Sequence, residues 1–270
     1  MIPNDHAIML FRFSEKRWMQ QFAQGKLSFS CAGAFIAQAK HSGNNIQGDK
    51  LEGVFAHLLR ENPQIEIIKN KYIDEDIEEI EDGKYIFLRR KSAKFIPIFC
   101  FFAFTAEDAI NVKSPAHGGM QEVNFDFDPR LFEGFANKNI RNTVALGHEF
   151  ALSFVQPKPF INHLLASLLV HSLAVEIHPI KYRNFKDEEF FVEPTDDYPE
   201  LFIKSDLYTY QHEVRVCLKK EKFGHIFERF PLEIVPLRSL DIATFRDEIH
   251  VVLTVDIQER TNLDEYAGYG

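Results

Sequence analysis

The sequence holds few of the residues that staple small domains or bind metals in fixed motifs. Its 270 residues include three cysteines, Cys31, Cys100 and Cys217. Their odd number and wide spacing exclude a disulfide framework and a Cys-x-x-Cys module, so a reducing cytoplasm is the expected compartment. Long apolar runs are missing too. The most apolar stretch, Phe95 to Phe104, falls well short of the ~20 residues that a spanning helix needs, so no membrane partner is expected. The opening residues carry Asp5 and His6 instead of a basic start and an apolar run, and no secretory leader is expected. There is no positive excess. Lys and Arg number 31 against 40 Asp and Glu, a formal charge of −9, which argues against long-range attraction to nucleic acid but leaves room for a local basic groove. Gly118-Gly119 lacks the Lys or third Gly of a phosphate loop, and His148-Glu149 does not extend to His-Glu-x-x-His. His163, His171 and His178 are dispersed, so no metal set is expected. No repeat or low-complexity tract occurs.

What is abundant is phenylalanine. There are 27 Phe against one Trp and eight Tyr, in a chain that is 45% hydrophobic, enough for one large core. Ile8 to Phe13 predicts a first strand. Ser14 caps a short helix to Gln24, on which Trp18 and Phe22 share a face, and Gly25 ends it. Lys26 to Ser30 begins a second strand. Gly33 to Gly48 mixes Gly, Asn and His and reads as a loop, Lys50 to Arg60 as a helix, and the acidic residues 70–84 as a solvated face closing on an Asp82-Gly83 turn. Further strands are expected over Tyr85 to Arg89, Phe95 to Thr105, Glu122 to Phe127, within Arg141 to Phe154, and over Val175 to Tyr182, Tyr208 to Leu218 and Ile249 to Asp256. Ile161 to Ser172 predicts a helix, Ser114-Pro115 a turn, and Leu201 to Ser205 a short helix or strand. No linker divides the chain, which predicts one α+β domain over residues 1–270.

Three polar signals interrupt the apolar strands. Arg12 lies among Leu10, Phe11 and Phe13. A guanidinium there needs a carboxylate, backbone carbonyls or a bound anion, and its planar fork suits phosphate. Ser28 and Ser30 alternate with Leu27 and Phe29. In Tyr210-Gln211-His212-Glu213-Val214-Arg215-Val216, strand alternation puts Gln211, Glu213 and Arg215 on one face and Tyr208 and Tyr210 on the other. A carboxylate flanked in this way can grip a ribose hydroxyl or stabilise a developing cation. The structural alternative is a ladder of ion pairs, or Arg12 paired with an internal carboxylate such as Glu213.

The order Arg12, then Ser28-Phe29-Ser30, then Gln211-His212-Glu213 resembles the Arg–Ser–Glu class of ADP-ribosyltransferases. The resemblance implies a curved, split, mostly antiparallel sheet flanked by helices, with large insertions between the second strand and the Gln-x-Glu strand. It implies NAD as substrate, Arg12 on its diphosphate, Ser28 and Ser30 bracing the nicotinamide-ribose pocket, and Glu213 on the ribose 2'-hydroxyl. Gln211 would position the acceptor, a protein or nucleic acid. Phe29 stands where that family commonly has Thr. Tyr208 or Tyr210 reaches nicotinamide only if a turn redirects the ring.

Leu10-Phe11-Arg12-Phe13-Ser14, Gly25 to Ser30, Phe99-Cys100-Phe101-Phe102 and Lys204 to Arg215 also resemble a broad family of uncharacterised bacterial and phage proteins. Its members open with Tyr-Arg-Tyr and finish with Lys…Tyr-x-x-Glu-x-Glu-x-Arg. Gln211 replaces the first Glu of that signature, and Gly48-Asp49-Lys50-Leu51-Glu52-Gly53 keeps acidic residues without the family's Asn-Asp-Pro. Members often lie near defence and toxin genes, which implies an enzyme. Two other readings stay open. One is a non-catalytic nucleotide- or partner-binding regulator. The other is a metal-dependent nuclease using Asp126 and Asp128, joined by Glu122.

Overall fold

A computed structural model describes residues 9–42, 49–105, 108–116, 120–126, 130, 150–171, 173–219, 230–234, 241–244 and 250–256. The elements run β1 (Met9–Glu15), α1 (Lys16–Ala23), β2 (Lys26–Cys31), α2 (Ala32–Ser42), β3 (Val54–Leu59), α3 (Gln64–Lys71), β4 (Ile77–Asp82), β5 (Tyr85–Arg90) and β6 (Pro97–Phe104). They continue with β7 (Ala109–Ala116), β8 (Met120–Asp126), β9 (Phe150–Val155), α4 (Pro157–Val170), β10 (Ala174–Pro179), β11 (Lys181–Arg183), β12 (Phe190–Phe191), β13 (Ile203–Ser205), β14 (Glu213–Lys219), β15 (Phe230–Glu233), β16 (Asp241–Thr244) and β17 (His250–Asp256).

The chain folds as an α+β domain around a curved antiparallel sheet ordered β10-β14-β6-β1-β9-β16. The sheet forks at β6. β2 pairs with the start of β6 (Ser30 opposite Ile98, Cys31 opposite Pro97), whereas β1 pairs with its end (Met9 opposite Phe104, Phe11 opposite Phe102). Both use the same edge, so among the described residues the middle of β6 has no strand partner there. One sheet face carries Leu10, Phe99, Phe101, Val214, Val216 and Leu218 and packs under α1 and α4 through Phe22, Phe160, Ile161 and Leu164. Phenylalanine dominates this layer. Phe101 meets Phe160 at 4.8 Å, and Phe99 meets Phe101 at 5.0 Å, between ring centroids. Each ring taken from water contributes about 1.5–3 kcal/mol. The opposite face carries Ile98 and Cys217, which pack with Ala93, Ile180, Leu201 and Phe202.

Several sequence expectations need correction. Ala32–Ser42 is a helix, not a loop; Ala32, Ile36 and Ala39 are buried along it, outweighing Gly33. Lys50 to Arg60 is not a helix. It contains β3, whose first five residues are all buried, so the alternation that marks a half-exposed strand is missing. The acidic solvated face is found as expected, and its residues 77–82 form β4, an edge strand paired to β5 whose charges discourage further pairing. Gly83 (φ +60) makes the turn between them. Pro115 lies within β7, where the register with β8 shifts. Gly118-Gly119 falls outside the described residues.

Candidate functional site

β14 starts at Glu213, later than the sequence pattern predicts. Asp206–Gln211 form a 3-10 turn with Ser205 Oγ accepting from Leu207 N–H, and His212 then adopts a left-handed conformation (φ 39°, ψ 51°). Such a backbone costs a non-glycine residue of order 1–3 kcal/mol and persists where contacts over-determine it. Here Ala103 N–H donates to His212 O (2.9 Å), and Asp108 Oδ2 lies 3.1 Å from His212 Nδ1. The turn removes Tyr208 and Tyr210 from strand alternation. The Tyr208 ring lies 4.7 Å from Lys204 Nζ, on the same side as Glu213.

From Glu213 onward alternation holds. Val214 and Val216 enter the core opposite Phe101 and Phe99, while Glu213 and Arg215 face the other way, opposite Phe102 and Cys100. Arg215 makes four hydrogen bonds. Its Nε donates to Glu213 (2.5 Å), Nη1 to Glu52 and to Leu201 O, and Nη2 to Glu52 (3.0 Å). Lys204 Nζ donates to Gln211 Oε1 (2.8 Å) and Glu213 Oε2 (2.9 Å). Tyr182 Oη accepts from Glu213 N–H (3.0 Å), and Ile180 N–H donates to Glu213 O (2.8 Å), fixing the strand entry. Arg89 holds the turn before β3 by donating to Lys50 O and Glu52 O (3.1 and 2.8 Å). All of these charged groups are buried.

Burial opposes ionisation of Glu213, but Arg215 and Lys204 outweigh it and hold its carboxyl below the ordinary range. Burial likewise opposes charge on Lys204 and Arg215, yet Glu213, with Glu52, leaves both more basic than usual. Asp49 behaves oppositely. Burial, then neighbouring Glu52, pushes its carboxyl up to about 6, against the pull of Lys204 and Arg215. Its Oδ1 accepts from Leu51 N–H (2.8 Å). Burial and then Glu213 raise the Cys100 thiol well above its usual range. The cluster has three carboxylates, Asp49, Glu52 and Glu213, against two cations, Lys204 and Arg215, while the neighbouring buried Arg89 is paired with a further carboxylate, Glu78.

Arg12 is elsewhere. It shares the face of Leu10, and its guanidinium stacks on the core ring of Phe99, 4.0 Å from the centroid. Nη1 donates to Cys100 O (2.7 Å), a carbonyl in the middle of β6 where the fork leaves no strand partner. Burial lowers its pKa from the usual arginine value. The group lines a recess of about 160 Å³ with Ser14, Trp18, Lys26, Ser28 and Phe99.

The expected constellation thus divides. Glu213, Gln211, Tyr208 and Tyr210 gather at the cluster, with Tyr210 Oη 3.5 Å from Gln211 Nε2. Arg12 and Ser28 line the recess, and Ser30 sits beside Ile98, at the other end of β6 from the partner of Glu213. The structure does not bring Arg12 and Glu213 together: Arg12 lies on the face of Phe99 and Leu10, and Glu213 on the opposite face of the sheet. Nor does Arg12 pair with Glu213. Asp126 and Glu122 belong to β8 in a separate sheet, β17-β8-β7, and Asp128 lies outside the described residues. Among the described residues no group of three or more His, Cys, Asp or Glu is placed to hold a metal, and no helix is long and apolar enough to cross a membrane. Asp49 and Glu52 escaped the sequence reading as site residues. Their signal was two carboxylates shortly before the apolar start of β3, Val54-Phe55-Ala56. Comparison with protein-family models, curated proteins and solved structures returns no match.

Proposed function

We propose that the protein is an enzyme that cleaves NAD at the nicotinamide-ribose bond, at the Glu213 cluster, and passes ADP-ribose to a protein or nucleic-acid acceptor. The observation that carries this reading is the excess of carboxylates over cations around an ionised Glu213, with Tyr208 and Tyr210 brought to its side. A site of that charge favours a transition state in which positive charge collects on the ribose. The C1'–N bond breaks and its electron pair leaves with nicotinamide. Glu213 steadies the cationic ribose, the acceptor attacks C1', and its proton passes to Asp49, whose carboxyl burial pushes up to about 6. Gln211, held by Lys204, orients the acceptor. Arg12 has no part in this step.

The test is nicotinamide release from labelled NAD, and label transfer in a mixed protein and nucleic-acid extract. Glu213→Gln and Asp49→Asn are compared with the intact protein after circular dichroism confirms folding. Each variant is expected to lose about 100-fold or more in rate. No release above a blank by the intact protein, or equal release by folded Glu213→Gln, overturns the proposal.

The four hydrogen bonds of Arg215 favour a second reading, in which the network ties the turn before β3, β13 and β14 together in a non-catalytic nucleotide- or partner-binding protein. That reading predicts NAD binding without nicotinamide release.

A further inference from the structure

We infer that the recess at the fork between β1 and β2 binds the phosphate group of a phosphomonoester, at a site separate from the Glu213 cluster. The inference does not rest on the proposed NAD chemistry. Arg12 is half-buried, and a guanidinium even partly withdrawn from water normally finds a carboxylate, because uncompensated charge is costly to bury. Arg12 has none among the described residues. Its one hydrogen bond there is Nη1 to Cys100 O, so Nε and Nη2 have no acceptor, although the group is packed against Phe99.

The rest of the lining supplies more donors and no carboxylate. Ser14, Ser28 and Lys26 surround the recess with Arg12, and among the described residues neither serine hydroxyl has a hydrogen-bond partner. A guanidinium, an ammonium and two hydroxyls outnumber the acceptor sites that a planar carboxylate presents on one edge. They suit a tetrahedral oxyanion with three terminal oxygens. Gln21 adds an amide, the rest of the wall is apolar, from Trp18, Met19, Phe22 and Phe99, and the volume of about 160 Å³ leaves room beside the phosphate for part of the group that carries it. A phosphomonoester with an aromatic or apolar portion therefore fits better than free phosphate. The position on β6 matters as well. Arg12 occupies the unpaired stretch of that strand's edge, so an anion drawing on it would brace the fork.

The test uses the full chain, with inorganic phosphate and phenyl phosphate as probes and sodium chloride at matched ionic strength as the control. Titrations are read by phosphorus NMR and by the shift in unfolding midpoint. Both probes are expected to raise the midpoint beyond the chloride control, phenyl phosphate more tightly. Arg12→Met is expected to abolish binding. Lys26→Gln and Ser28→Ala, at exposed and half-exposed positions, keep the fold and each raise Kd about tenfold, as loss of one charge-assisted hydrogen bond does. Asp49→Asn, across the sheet, leaves Kd unchanged. A midpoint shift no larger than that of chloride overturns the site, as does binding by Lys26→Gln and Ser28→Ala as tight as by the unaltered chain. Loss of phosphate binding in Asp49→Asn overturns the separation of the two sites, whether or not NAD is cleaved.

Discussion

Arg215 and Arg12 both reach β6, one from β14 and one from β1, and meet opposite conditions there. Arg215 finds two carboxylates and a backbone carbonyl, which match its donors from three directions. Arg12 finds one carbonyl and the face of a phenylalanine. Arg215 is buried and neutralised within the protein, whereas Arg12 is half-buried beside a recess lined with further donors. The first arrangement makes structure and holds Glu213 ionised. The second leaves hydrogen-bonding capacity unspent. The difference shows why burial of an arginine does not by itself identify a ligand site; its partners do.

The contrast can be broken most strongly from the Arg215 side. Glu52→Gln leaves Arg215 and Lys204 with less countercharge in a buried setting, and is expected to cost about 3–5 kcal/mol in urea unfolding. A loss under 1 kcal/mol would mean the network is wetter and looser than described. The next largest effect sharpens the contrast within the cluster itself. The folded pKa of Asp49 is raised from 3.8 to about 6, so the folded state binds its proton more tightly. Its contribution is fully present below the unfolded value and is lost as pH rises through about 6, a change of about 3 kcal/mol. Glu213 has the reverse sign: its pKa is lowered, so its contribution is present above the ordinary carboxylate pKa of 4.5 and is lost as pH falls. Stability of the native protein minus that of Asp49→Asn, followed between pH 4 and 7 in urea, should therefore decline with pH. A flat difference removes Asp49 as a titrating group.

The smallest expected effect concerns His57. It is buried between Tyr85 and Phe87, with Nδ1 on Glu188 O (2.7 Å) and no partner for Nε2 among the described residues. Burial lowers its pKa from 6.5, so its neutral form contributes stability above that value and the contribution is lost as pH falls. His57→Phe should unfold at nearly the native midpoint at pH 8 and lose less than the native protein on acidification. An unchanged pH slope would contradict this.

Much of the scaffold was legible in the residues. Alternation marked β1 and β2, where one face meets the core, and apolar runs marked β6 and α4. β3 was hidden because both of its faces are covered. The turn before Glu213 was hidden for another reason: Tyr208, Tyr210 and His212 have strand-like side chains, and tertiary contacts impose the left-handed backbone at His212. Within the site, Glu213, Gln211 and Arg215 were readable from spacing. Glu52 and Asp49 come from a distant turn that only the fold brings under Arg215. The separation of Arg12 from Glu213 follows from the register of β1 and β14 on β6, which no single strand records.

The most direct measurement compares the urea unfolding free energies of Arg12→Met and Arg215→Met, each with and without phosphate. Arg215→Met is expected to lose about 3–5 kcal/mol and still gain stability from phosphate. Arg12→Met should lose about 1 kcal/mol and gain none. Equal losses in the two variants, or a phosphate response that survives in Arg12→Met and vanishes in Arg215→Met, would contradict the assignment of one guanidinium to structure and the other to an anion.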